Sequence, residues 1–242
     1  MPNRILIIVA MSAEALPTIS RLSLSPLPFP VPSLPYLLHA GVHLSTSVHL
    51  ATLGVSPHGA DNVGTLHASV CLSHLLASAA ARGAPYTHVL NAGTCGGFLA
   101  RGCAVGTVVL PTSSAFHDRR IVIPGTPFEE YGVGLLPAGT EGTRGVVEAV
   151  EGHCSTGDSL DHCREDDEAM AKTEAAAKDM EFAALNTVAA MHGVPLLGVK
   201  VVTDLVDGDR PSHEEFMENL GTAAKSLQEN VGKVIDALAK GE

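Results

Sequence analysis

Three carboxylates stand where they can do acid–base work or hold hydroxyl groups, each in a short segment beside an apolar or helical run. Glu14 lies in Ala10-Met11-Ser12-Ala13-Glu14, just beyond the apolar run 5–9. A carboxylate at a strand end can act as general base for water. Read alone, a helix N-terminal acid that complements the dipole is the plainer reading. Asp204 closes Lys200-Val201-Val202-Thr203-Asp204, where an apolar run opens into a polar loop. Desolvation at such a place raises a carboxyl pKa and lets the group hold a proton near neutrality. A loop-initiating Asp is the plainer reading. In Lys178-Asp179-Met180-Glu181, Asp179 can cap a helix and set Glu181 in its first turn. An acid there can grip two vicinal sugar hydroxyls while Met180 packs on the apolar face of the ring. An ordinary capped helix start would look the same.

Two further segments offer backbone and hydroxyl groups. Asn91-Ala92-Gly93-Thr94-Cys95-Gly96-Gly97 reads as a Gly-rich turn that brings Thr94 towards a small polar ligand, or as a tight turn only. Its spacing is not G-x-G-x-x-G and no Lys follows as in a phosphate loop, so dinucleotides and triphosphates are poorly supported. Ser155-Thr156-Gly157-Asp158-Ser159-Leu160 can pair its backbone with a flat heterocycle, or form an Asp-stabilised turn. Asp207-Gly208-Asp209 lacks the rest of a calcium loop, and no H-E-x-x-H or G-x-S-x-G occurs among the twelve scattered His and the serines.

The elements that must position these groups alternate. Apolar runs at 5–9, 88–91, 107–110 and 196–202 read as central strands covered on both faces. Segments 36–40 and 44–53 read as a hairpin across Gly41. Helices are expected from Ala13, over 60–82, near 142–150, over 165–177 and 180–192, and from Ser212 to Ala239. Residues 22–35, with five prolines, read as a loop. The pattern predicts an α/β fold with one mixed sheet, as a single domain over 1–242. Ligands of such folds sit at the carboxyl ends of strands, where the unusual polar residues fall. Aromatic residues make up 4% and Trp is absent, so the core is aliphatic. A net charge of −11 argues against nucleic acid or an anionic membrane as partner. The acidic run Glu165-Asp166-Asp167-Glu168 reads as a solvated helix start. Five cysteines, without C-x-x-C spacing, point to a reducing compartment and no zinc site. The N-terminal apolar run is too short for a signal peptide, and no run spans a membrane, so the expected location is cytoplasmic.

Taken in order, Ala10-Met11-x-x-Glu14, Asn91-Ala92-Gly93-Thr94-Cys95-Gly96-Gly97, Thr156-Gly157-Asp158, Asp179-Met180-Glu181 and Thr203-Asp204 resemble the 5′-methylthioadenosine/S-adenosylhomocysteine nucleosidases. Phe116-His117-Asp118-Arg119-Arg120 and the segment from Val202 to Asp209 look most like the plant-type members. The resemblance covers essentially the whole chain. It implies the purine nucleoside phosphorylase fold, a three-layer αβα sandwich around a mixed, partly barrel-like sheet. It also implies a homodimer whose partner chain completes the 5′-substituent pocket. Asp204 would be the general acid at adenine N7 and Glu14 would activate the attacking water, the logic of an inverting glycosidase. Glu181 would bind the ribose hydroxyls with Met180 against the sugar, next to Asp179. Thr94 would sit near the water or the acid, Met11 near ribose and water, and the backbone of Leu160 against adenine. Lys200 stands where bacterial members often have Arg, and His213 where they often have an aromatic lining the 5′ pocket. Water and two carboxylates suffice for this chemistry, so no metal and no organic cofactor is implied.

Rival readings differ in what they require. A phosphorylase of the same fold needs a cationic phosphate pocket, and the first strand end offers Glu14 without a Gly/Arg pair. A non-catalytic binding or storage relative would be expected to have lost acid–base residues. A nicotinamide-dependent oxidoreductase lacks its fingerprint.

Overall fold

The computed structural model describes residues 3–121 and 123–241. In chain order its elements are β1 (Arg4–Val9), α1 (Ser12–Arg21), β2 (Ser25–Leu27), β3 (Leu37–His43), β4 (Thr46–Thr52), α2 (Thr65–Ala81), β5 (His88–Gly97), β6 (Val108–Phe116), α3 (Pro127–Val133), β7 (Leu136–Pro137), β8 (Val150–Thr156), α4 (Arg164–Lys172), β9 (Ala175–Asp179), α5 (Phe182–Met191), β10 (Leu196–Leu205) and α6 (Ser212–Lys240). β1 is apolar at every position after Arg4 because both its faces are covered. Leu6 and Ile8 join a core shared with α2 and α5, whereas Ile5, Ile7 and Val9 join one shared with α6. With α2 packed on α5, and α1 on α6, the expected three layers result.

β5 organises the sheet. It pairs in parallel with β1 over 88–91, with β10 along most of its length, and in antiparallel fashion with β9 at Gly96 and Gly97. The path β5-β10-β6-β8-β9 therefore returns to β5 and closes a ring. From β1 the sheet continues outward through β4 and β3 to β2.

The structure departs from the sequence reading at several places. The Gly-rich segment is not a turn but the continuation of β5. Its glycines serve close approach: a Cβ on Gly97 would lie 2.8 Å from both methyls of Val202, and one on Gly96 would lie 2.7 Å from Val206. Residues 175–177, read as helix, form β9. Ala is a strong helix former, but packing decides here: a Cβ on Gly152 of β8 would meet Ala176 at 2.6 Å, so only small residues fit. No helix occupies 142–150. Gly142 and Gly145 take φ of +69° and +71° in a run of turns, and β8 begins at Val150. The β3–β4 hairpin turns at Leu44-Ser45, both with positive φ, rather than at Gly41. A three-residue strand, β2, lies inside the proline-rich loop. The acidic run does open α4, but Asp166 is buried and pairs with Arg120 while its neighbours face solvent.

Candidate active site

A cavity of about 290 Å³ opens where β1, β5, β9 and β10 end, and all nine site residues named from the sequence line it. Glu14 reaches it from the first turn of α1 and is 2% exposed. Its Oε1 accepts hydrogen bonds from the Thr94 backbone N–H (2.6 Å) and the Thr94 hydroxyl (2.7 Å). Its Oε2 accepts a longer one from the N–H of Met11 (3.3 Å). The helix-start and cavity readings of Glu14 are thus one arrangement. A Cβ on Gly93 would lie 3.5 Å from Oε1, so this glycine borders the carboxylate closely. Burial raises the Glu14 pKa, against the opposing pull of Thr94, Lys200 and Met11.

Asp204 is aimed by an irregularity in β10. Val202 pairs with Cys95 and Asp204 with the next residue, Gly96, leaving Thr203 as an extra residue. Such bulges redirect side chains beside active sites. The Thr203 hydroxyl lies 2.8 Å from Asp204 Oδ1. Gly96 is required here a second time, since a Cβ would approach Oδ2 to 3.1 Å. Burial raises the Asp204 pKa; hydrogen bonds from Thr203 and Ser212, and the charge of Lys178, pull the other way.

Asp179 and Lys200 satisfy each other. Their ion pair is 2.6 Å long and both side chains are 1% exposed. Asp179 also accepts from the Thr156 hydroxyl (2.6 Å) and, from two residues before the N-cap position of α5, from the Phe182 N–H (2.9 Å). Burial opposes both charges, but the pairing prevails: Asp179 is held below its usual pKa and Lys200 above its own. Both residues border the cavity, yet their charged ends are spent on one another. The pair is a fixed support whose ammonium also favours ionised Glu14 and Glu181.

Glu181 stands at the N-cap of α5 rather than within its first turn. Its Oε1 accepts the Gly64 N–H at 2.8 Å, which leaves Oε2 for a ligand. Burial, then the nearby Asp179 charge, pushes its pKa up to about 7. The folded protein therefore keeps a proton that the unfolded chain loses near 4.5. The stability this proton confers is full below 4.5 and is lost as the pH rises through about 7. Glu181→Gln keeps an acceptor for Gly64 and removes the titration. At pH 8 the variant is expected to be more stable than the parent by about 1–3 kcal/mol, and the difference should shrink towards pH 4. Denaturant titrations at both pH values check this; a pH-independent difference would refute it.

The remaining wall is mixed. Met11, Met180 and Val63 supply apolar surface, and Leu160 sits at the rim, 46% exposed. Phe216 supplies an aromatic face that sequence reasoning missed. No motif in the sequence marked it: Phe216 follows Glu215 on α6, whose Oε2 accepts the Leu205 N–H at the end of β10, a contact visible only in the fold. His213 is exposed instead and borders a separate depression with Asp161 and His162. Lys178, also missed, lines the cavity and donates to three successive backbone carbonyls, those of Ser159 (2.9 Å), Leu160 (2.6 Å) and Asp161 (2.8 Å). Among the described residues no cluster of three or more His, Cys, Asp or Glu is arranged to hold a metal ion. All five cysteines are unpaired, and no helix among those residues is long and apolar enough to cross a membrane.

Comparison with known proteins agrees with this architecture. The model of the phosphorylase superfamily matches residues 4–236. The chain is 39% identical over 241 residues to a 5′-methylthioadenosine nucleosidase of Arabidopsis thaliana, covering 97% of this chain and 86% of the relative. It is 38% identical over 244 residues to a 5′-methylthioadenosine/S-adenosylhomocysteine nucleosidase of the same plant, covering 98% and 92%. The apo structure of Arabidopsis thaliana 5′-methylthioadenosine nucleosidase superposes with a TM-score of 0.91 at 38% identity, covering 100% of this chain and 98% of that one. With the αβα layers, the closed ring of strands and likeness along nearly its whole length, the chain belongs to the phosphorylase superfamily, within the family of 5′-methylthioadenosine nucleosidases.

Proposed function

We propose that the protein hydrolyses the N-glycosidic bond of 5′-methylthioadenosine, giving adenine and the 5-thioribose product. The observation that carries this reading is the convergence of three buried carboxylates with different surroundings on one cavity. Asp204, its pKa raised, is suited to deliver a proton to adenine N7 and make the base a better leaving group. Glu14 holds Thr94 firmly through Oε1 and Met11 only loosely through Oε2, so Oε2 is the oxygen to orient and deprotonate water. Glu181 takes the ribose hydroxyls through its free Oε2, with Met180 against the sugar. Thr94 fixes the base, the Leu160 backbone faces the purine, and Met11 packs near the ribose.

Hydrolysis is favoured over phosphorolysis by the state of the cavity's cations. Among the described residues lining it, the cations are Lys178 and Lys200. The first is occupied by three carbonyls and the second by Asp179, so neither is free for phosphate. Val63 at the cavity and Leu66 at the start of α2 expose apolar surface, which supports a homodimer whose partner covers the 5′-thio end. This substrate supports a role in methionine salvage, and five unpaired cysteines support a reducing compartment such as the cytoplasm.

The test is adenine release from 5′-methylthioadenosine in phosphate-free buffer and after phosphate is added, with S-adenosylhomocysteine in parallel. Release without phosphate is the expected result. Release only with phosphate would make the enzyme a phosphorylase, and no release would leave a binding protein.

A further inference from the structure

Among the described residues lining the cavity, Lys178 is the charged group that has neither a task in the scheme above nor an ion-pair partner. It lies on β9, level with Gly96 of β5 and Ser155 of β8, and is 7% exposed. An ammonium has three donors, and all three are used on the carbonyls of Ser159, Leu160 and Asp161. Three consecutive carbonyls can meet one cation only if the chain bends around it. Among the described residues nothing accepts from the N–H groups of Leu160 or Asp161, which share peptide units with the Ser159 and Leu160 oxygens that Lys178 holds. A cation on a peptide oxygen polarises the whole unit and makes its N–H a stronger donor.

Resting on the nucleosidase reading, we propose that Lys178 is a positioning residue for the leaving base: it folds residues 159–161 around its ammonium and turns their polarised N–H groups on the purine. In the reaction the bond from the anomeric carbon to the purine nitrogen breaks, and its electron pair passes to the base. Asp204 gives a proton to N7, water oxygen bonds to the anomeric carbon, and Glu14 takes the water's proton. Negative charge develops on the purine before its protonation is complete. Fixed donors backed by a buried cation stabilise charge there more than they stabilise bound substrate, so the effect falls on kcat.

Lys178→Met keeps the stem and removes the charge, Lys178→Gln keeps two donors without charge, and Lys178→Arg keeps charge and donors. With 5′-methylthioadenosine, kcat of the Met and Gln variants is expected to fall by about 10- to 100-fold with a smaller change in KM, and Arg should recover a substantial part. Asp204 faces Lys178 from β9, Ser212 and Glu215 from α6, and Thr203 beside it. Losing the Lys178 charge should therefore move the alkaline limb of the rate profile to higher pH in the Met and Gln variants. The proposal is overturned if kcat of folded Lys178→Gln stays within about two-fold of the parent, or if the loss lies only in KM and thermal stability and Arg does no better. The parent enzyme separates the two ideas. A parent that releases no adenine defeats the nucleosidase reading, whereas an active parent with an equally active Gln variant defeats only the role of Lys178.

Discussion

Asp204→Asn is expected to lower kcat on 5′-methylthioadenosine by about 10²–10⁴-fold while leaving fold and substrate binding nearly intact. The carboxamide has the shape of the acid, so the bulge at Thr203 and the narrow space over Gly96 are preserved. What it lacks is a transferable proton. Burial favours the protonated acid in the parent, and adenine without that proton is a poor leaving group. The loss should lie in kcat, because substrate binding uses the hydrogen-bonding shape that Asn retains. Steady-state kinetics with a thermal melt on the same sample decides it. Near-parental kcat would remove Asp204 from the chemistry, and a collapsed melt would assign it to the fold.

Glu14→Gln is expected to cost a comparable factor, about 10²–10⁴, for a different reason. All three groups around this carboxylate are donors: the Thr94 N–H, the Thr94 hydroxyl and the Met11 N–H. A carboxylate accepts from all of them, but Gln brings a donor NH2 that must face one. The variant loses the base and disturbs the site together, so both kcat and thermal stability should drop. In the parent, the rate should rise as Glu14 ionises and fall as Asp204 does. Burial raises both pKa values, which moves the active window above the range of exposed carboxylates. The two limbs belong to the coupled site as a whole. In Glu14→Gln the acid limb should flatten; an unaltered profile with high kcat would show that another group activates the water.

Much of this site was legible in the sequence because its residues fall at strand ends, and strand ends follow from continuous apolar runs. Ile5 to Val9 and Leu196 to Val202 are buried on both faces, so their termini, and with them Glu14 and Asp204, could be located. The parts that were misread share one cause: they depend on distances between strands. Gly93, Gly96 and Gly97 looked like a turn, but they leave room along β5 for the carboxylates and valine methyls that press against it. Ala175 to Ala177 have helical propensity and become β9 because the ring has no room for larger side chains. Propensity acts along the chain, whereas ring closure is a condition between elements distant in sequence. Lys178 was hidden for the same reason, since its partners lie 17 to 19 residues earlier. The Asp179–Lys200 pair also needed the fold: each residue was noted separately, and only the ring, in which β9 and β10 both pair with β5, shows that they neutralise one another.

The outermost strands have a consequence for how molecules meet. A strand edge with free N–H and C=O groups invites pairing with another chain and growth of a common sheet. Here the ring joins β5, β10, β6, β8 and β9 to one another, and the path beyond it ends at β2, while β7 flanks β6. β2 is three residues long with Pro26 at its centre, and β7 is two residues long and ends in Pro137. Proline has no N–H to give, so both edges are poor templates for a further strand. The loop rich in proline thus acts as a stop on sheet growth and a guard against fibrous aggregation. Contact through exposed side chains such as those of Val63 and Leu66 is not subject to this limit.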